Sequence, residues 1–162
     1  MPSAHLDTFT RDHLPAAAVM PDLVFGLPEL QFAAQLNCVT ELLDKRVAQG
    51  HGNHRCMQGL AQDGTAIDWT YAEVQARVDR VAHELVKRRG VVPGNRVLLR
   101  GANSPMLAVC WLAVVKAGAV AVGSMPLLRA KELQQIITKA QITHALCDAR
   151  LLVELQAAQT QC

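Results

Sequence analysis

Charge is scarce in this 162-residue sequence, where 19% of the residues are Asp, Glu, Lys or Arg against about 25% in an ordinary globular domain. Aromatic residues are scarcer, at 4%. The 16 Lys and Arg exceed the 14 Asp and Glu by a net charge of only +2. Apart from the Lys87-Arg88-Arg89 run the basic residues are scattered, so the chain lacks the basic stripe of a nucleic-acid binder. Its 5 cysteines form no Cys-x-x-Cys pair and are odd in number, which points to free thiols in a reducing cytoplasm and away from a disulfide scaffold. Neither a GxGxxG nor a GxxxxGK[ST] loop occurs, which removes the two common glycine-rich phosphate cradles. An export signal is not expected either. Asp7, Asp12 and Asp22 and the prolines at 2, 15, 21 and 28 interrupt any apolar run near the start. The longest uncharged stretch, residues 101–115, is 15 residues long and contains Pro105, short of the 18 or more of a membrane span. It reads as a buried core helix.

What the chain has instead is apolar residues, at 51%. That excludes disorder and promises a generous core. The length suits one domain, and a compact protein of 17.6 kDa should expose about 7,900 Å².

Residues 1–35 read as an extended, proline-punctuated arm, followed by a single α/β domain over 36–162. The spacing of Val39, Leu42, Leu43 and Val47 predicts a helix over 37–49, with Asn37 as N-cap and Gly50 at its end. Residues 55–61 and 66–70 flank Gln62-Asp63-Gly64-Thr65, in which Asp-Gly signals a two-residue hairpin turn. Thr70 and Glu73 form a capping box. The helix that follows carries Val74, Val78, Val81, Ala82 and Leu85 on one stripe, Lys87-Arg88-Arg89 in its last turn, where cations suit the helix dipole, and Gly90 as C′ residue. Beyond the turn at 91–95, short apolar runs alternate with helices. Strands are expected at 96–100, 119–123 and 142–147. Helices are expected at 105–117, 130–140 and 149–158, with Ser104 and Asp148 as caps. That alternation implies right-handed crossovers and a three-stranded parallel βαβαβα unit covered on both faces.

Side chains for catalysis are few. His51, His54 and Cys56 cluster in a loop, but a closed zinc site needs a second ligand pair. His83 and His144 read as packing or surface residues, and Cys110 as inert core. Ser104 and Ser124 lack the context of a nucleophile.

The order of segments is more specific. Trp69-Thr70-Tyr71-Ala72-Glu73-Val74 resembles the first core motif of the adenylate-forming enzymes, the superfamily of acyl-CoA synthetases, firefly luciferase and peptide-synthetase adenylation domains. Gly90-Val91-Val92-Pro93-Gly94-Asn95-Arg96-Val97 is similar to their "GV.PGDRV" turn, with Asn95 in place of the common Asp. Asn103-Ser104-Pro105 and Leu112-Ala113-Val114-Val115-Lys116-Ala117-Gly118-Ala119-Val120 resemble their "NS" loop and second core motif. Gly123 and Met125 depart from the usual Pro and Asn. With Ala145-Leu146-Cys147-Asp148 and the arm, these resemble most the benzoate and 2-aminobenzoate CoA ligases.

The resemblance implies the N-terminal subdomain of a much longer ligase that condenses a carboxylate, here an aromatic one, with ATP and passes the acyl group to CoA. The family's ATP loop, its Mg²⁺ motif and its catalytic lysine have no match here. The chain alone is therefore expected to bind none of ATP, Mg²⁺ and CoA and to be inactive, with no catalytic or metal-ligating residue and the ligase remainder as its partner. Neither nucleic acid nor a membrane is expected as a partner. A self-sufficient small α/β binding module, or a structural partner of a separately encoded ligase remainder, are the alternatives. Open parallel sheets bind ligands at the carboxyl ends of their strands, here the loops 101–104 and 124–128. Arg129 and Lys131 lie just past the second loop. The resemblance makes them candidates for CoA phosphates, with solvated helix charges as the plainer reading. A part detached from its remainder should also expose apolar surface or a sheet edge, through which copies could associate.

Overall fold

In the computed structural model, which describes residues 3–61 and 63–160, the chain starts with one helical turn, α1 (Phe9–Asp12). Isolated 3-10 turns follow at Ala17–Val19 and Pro28–Leu30. Next come π-helical turns at Thr40–Asp44 and Val47–His51. Asn37 caps this stretch as expected, its Oδ1 accepting the Val39 N–H at 3.0 Å. Its Nδ2 also donates to the carbonyls of Val115 and Lys116. Val39 and Leu43 are buried, but Leu42 is 61% exposed. The expected stripe is corrected because π turns, closed by i→i+5 bonds, hold more residues than α turns and shift the register. Gly50 breaks the helical course with a φ of +88°.

β1 (Arg55–Leu60) and β2 (Ala66–Thr70) form the expected antiparallel ribbon. The Ala61 N–H donates to the Thr65 carbonyl, and the Gly64 N–H to that of Ala61. Asp63 and Gly64 thus close a turn one residue longer than the two-residue form, and its remaining residue, Gln62, lies outside the described residues. Thr70 then caps α2 (Tyr71–His83). Its hydroxyl accepts the Glu73 N–H at 3.3 Å while the Glu73 carboxylate accepts the Thr70 N–H at 2.8 Å. A π turn, Glu84–Arg88, extends the helix, and Arg88 and Arg89 both reach back to Glu84.

The remaining elements alternate: β3 (Arg96–Arg100), α3 (Pro105–Lys116), β4 (Val120–Ser124), α4 (Ala130–Ala140), β5 (His144–Cys147), a 3-10 turn at Ala149–Leu151 and α5 (Leu152–Gln159). The three strands are parallel, with β3 between β4 and β5. Two strand starts differ from expectation. The Ile142 N–H donates to the Ile137 carbonyl and Gln141 turns left-handed at φ +45°, so Ile142 finishes α4 and does not begin β5. Ala119 similarly bonds back to Val114 at the end of α3, which delays β4 by one residue.

Alternation along β3 separates two faces. Val97 and Leu99 pack with Leu85, Val114 and Ala119 on the α3 side. Leu98 points the other way, toward Ile137 and Leu155. A second cluster, Val39, Leu43, Val74, Val78, Val109 and Ala113, joins the π turns, α2 and α3. α3 is less enclosed than its sequence suggests, because Met106 in its first turn is exposed, as is Trp111 across the helix from the buried Val109 and Ala113.

The molecule exposes 10800 Å², well above the roughly 7,900 Å² of a compact chain of this mass. Much of the excess is apolar: Leu14, Val19, Leu23, Val24 and Leu27 in the arm, and Leu60, Leu127 and Val153 in the body, are exposed. Among the described residues no helix is long and apolar enough to cross a membrane.

Candidate functional site

The loops leaving β3 and β5 turn to opposite faces of the sheet, toward α3 and α5. Between them lies a cavity of about 340 Å³ lined by Gly101, Ser104, Leu107, Cys110, Cys147 and Asp148, among others. This is the position where open parallel sheets hold ligands. Its polar groups are already engaged. The Ser104 hydroxyl caps α3 by accepting the Leu107 N–H at 3.2 Å. Asp148 accepts the Arg150 N–H at 3.0 Å and pairs with the Arg150 guanidinium, which holds its carboxyl at about 2. Burial raises the thiols of Cys110 and Cys147 above their ordinary range, so neither is an activated nucleophile. The cavity has binding walls without an acid–base pair.

The second loop, after β4, is organised by a residue that sequence reasoning passed over. Arg100 is 1% exposed. Its guanidinium donates to the carbonyls of Met125 at 3.0 Å, Pro126 at 3.1 Å, Leu128 at 2.8 Å and Leu151 at 3.4 Å. A buried cation must find acceptors, and the loop folds its backbone around this one. Arg96 is its counterpart at the start of β3, 4% exposed. The signal was available: residues 96, 98 and 100 share one face of a strand in a sheet covered on both sides, so both arginines had to be buried with partners.

Of the expected site residues, Arg129 and Lys131 both lie at the start of α4. The Arg129 guanidinium donates to Glu154 of α5 at 2.8 Å, and the same carboxylate accepts the Ala130 N–H at 2.9 Å. Arg129, then the Ala130 amide, lower the Glu154 carboxyl below its usual value. Lys131 is exposed one residue into the helix. Ser124 spends its hydroxyl on the Leu99 carbonyl at 3.2 Å.

The rings of His51 and His54 lie 4.9 Å apart, but among the described residues no three His, Cys, Asp or Glu side chains gather to hold a metal ion. His83 is exposed on α2. The His144 ring sits between the Thr143 hydroxyl and the Arg89 carbonyl, 2.9 Å from each. Cys162 lies outside the described residues.

A family model described as "AMP-binding enzyme" matches residues 44–162. The chain belongs to the AMP-binding enzyme family. Among its relatives in that family, the acetyl-coenzyme A synthetase of Deinococcus radiodurans is 36% identical over 86 residues, 53% of this chain and 13% of that enzyme. That of Burkholderia mallei is 43% identical over 65 residues, 40% of this chain and 10% of the enzyme. Among solved structures, a benzoate CoA ligase from Burkholderia xenovorans superposes with a TM-score of 0.66 at 22% identity, over 79% of this chain and 24% of the ligase. The anthranilate CoA ligase AuaEII, in complex with anthranoyl-AMP, gives 0.69 at 21%, over 80% and 23%. Apo MatB from Rhodopseudomonas palustris gives 0.61 at 31%, over 77% and 23%. The chain thus spans about a quarter of these structures and less of the curated relatives. Its α/β fold is that of the N-terminal subdomain of adenylate-forming enzymes, as its motifs implied.

Proposed function

We propose that this chain is the N-terminal portion of an ATP-dependent aryl- or acyl-CoA ligase, which joins a carboxylate to CoA through an acyl-adenylate, with benzoate or 2-aminobenzoate as the acid. Membership of the AMP-binding family across residues 44–162 carries the reading. The aromatic acid is supported by fold likeness to a benzoate and an anthranilate ligase. Acetate is the competitor, since the curated relatives are acetyl-CoA synthetases.

The described residues do not compose a site for ATP and Mg²⁺. Among those described no metal-holding cluster exists, and the sequence has no glycine-rich phosphate loop. We assign those groups to the rest of the ligase, and no adenylation step to this chain. Its share is a scaffold, on which Arg100 holds the 125–128 backbone, and one wall of the CoA channel. There Arg129 exchanges the Glu154 carboxylate for a CoA phosphate, with Lys131 beside it. Free thiols suit a cytoplasmic setting, and the exposed apolar side chains suit cover by the ligase remainder or a second copy.

Pyrophosphate exchange tests the reading. The chain alone should show none with benzoate, 2-aminobenzoate or acetate, whereas the ligase that carries it should show exchange with an aromatic acid. Exchange by the isolated chain would sink the inactivity, and exchange by the ligase with acetate alone would sink the aromatic assignment. In that ligase Arg129→Ala should raise the KM for CoA and leave adenylate formation alone. An unchanged KM removes the phosphate role.

A further inference from the structure

We propose that residues 5–9 of the arm are a strap that supplies the counter-ion of buried Arg96, and that Asn95 is the residue that lets the strap dock. The Arg96 guanidinium donates to three backbone carbonyls, those of Ala140 at 3.0 Å, Gly94 at 3.2 Å and Gln141 at 2.7 Å. These are neutral acceptors. Among the described residues the carboxylate that pairs with it is Asp7, from the far end of the chain.

The strap is fastened by more than charge. The N–H groups of Leu6 and Asp7 both donate to the Pro93 carbonyl at 3.0 Å. The ring of Phe9 lies 4.7 Å from the guanidinium carbon of Arg96, within cation–π range. Gly94 is at φ +91°, and a Cβ added there would fall 2.0 Å from the Asp7 carbonyl oxygen. Only a glycine admits the strap so close.

Asn95 decides the electrostatics. Its Oδ1 accepts the Val92 N–H at 3.0 Å and its Nδ2 donates to the Asp7 carboxylate at 2.9 Å. With the Asp that the resembling motif usually has, two carboxylates would face each other at hydrogen-bond distance. The negative charge beside Arg96 is thus carried by the arm, and the turn stays neutral at position 95. The strap belongs to the folding unit, although much of the arm beyond it is exposed.

Amide hydrogen exchange at Leu6 and Asp7, measured by NMR on this chain, tests the strap, because these amides exchange when the segment opens. Asp7→Asn should speed their exchange about tenfold or more, as loss of a charge-assisted bond implies, and Asn95→Asp should do the same through repulsion. The double variant should return them to within about threefold of the parent, since the Asn amide then donates to the new carboxylate. Parent-like exchange in either single variant overturns the proposal. So does a double variant that exchanges as fast as the singles. If Asn95→Asp fails to fold, the double variant decides: folded and slowly exchanging supports the strap, unfolded or fast overturns it.

Discussion

The guanidinium of Arg100 donates to the carbonyl of Leu128 at 2.8 Å, tying the end of the central strand to the loop that leaves its neighbour β4. Further bonds to Met125 and Pro126 make this one buried cation the organiser of that loop. A planar guanidinium carries five N–H donors in a fixed fork, which suits several carbonyls converging from one short segment.

Removing the fork should therefore cost stability. Arg100→Met leaves carbonyls of the loop without their donor, and we expect a loss of about 3 kcal/mol, measured by urea unfolding. Arg100→Lys keeps the charge but cannot span the same acceptors, and should recover less than half of the loss. A methionine variant as stable as the parent would show that the loop holds itself.

Acid should loosen the arm. The hydrogen bond from Arg96 is the largest influence on Asp7, and the net effect is a carboxyl below its ordinary value of 3.8. Its folded pKa thus lies under its unfolded one. The stabilisation is fully present above about pH 4, and it is lost as the pH falls through the folded pKa. In stability measurements between pH 6 and pH 2, Asp7→Asn should show a shallower acid fall than the parent. Parallel curves would mean that Asp7 contributes nothing to it.

Leu133 is fully buried on α4. Leu133→Ala should cost 2–5 kcal/mol, roughly the range for a core leucine, while Leu127→Ala, at a side chain 82% exposed, should stay within about 0.5 kcal/mol. Chemical denaturation of the two variants side by side checks the assignment of inside and outside.

At the start of α2, Thr70→Ala removes the hydroxyl that accepts the Glu73 N–H and should cost about 1 kcal/mol. Thr70→Ser keeps the cap and should restore most of it. Equal melting temperatures for Thr, Ser and Ala would show that this cap is dispensable.

The helix ends were legible in the sequence because their causes are local. Thr70 with Glu73, Ser104 before Pro105, and Gly90, at positive φ, act within a few residues of themselves. Leu42 and Ile142 were misplaced for the opposite reason. A π turn and a left-handed Gln141 are set by how the segments pack; the first shifts the apolar stripe, and the second holds off β5 until His144. The two loops at the strand ends were also legible, since the βαβ alternation alone puts them there. That Arg129 faces Glu154, and that Arg100 gathers the loop backbone, depended on where α5 comes to rest.

By itself the sequence determined the class of this protein. An apolar excess, capped helices and short strands in strict alternation allow little besides a parallel sheet with helices on both faces, because each apolar face needs a cover. Its motifs point to the adenylate-forming enzymes. Only the tertiary structure decided the fate of the buried charges. Arg96 and Arg100 sit in a strand buried along its whole length, so each had to find acceptors far away in sequence, among them Asp7 and Leu151. Those partners are fixed by the path of the chain through space, which no local pattern of residues encodes.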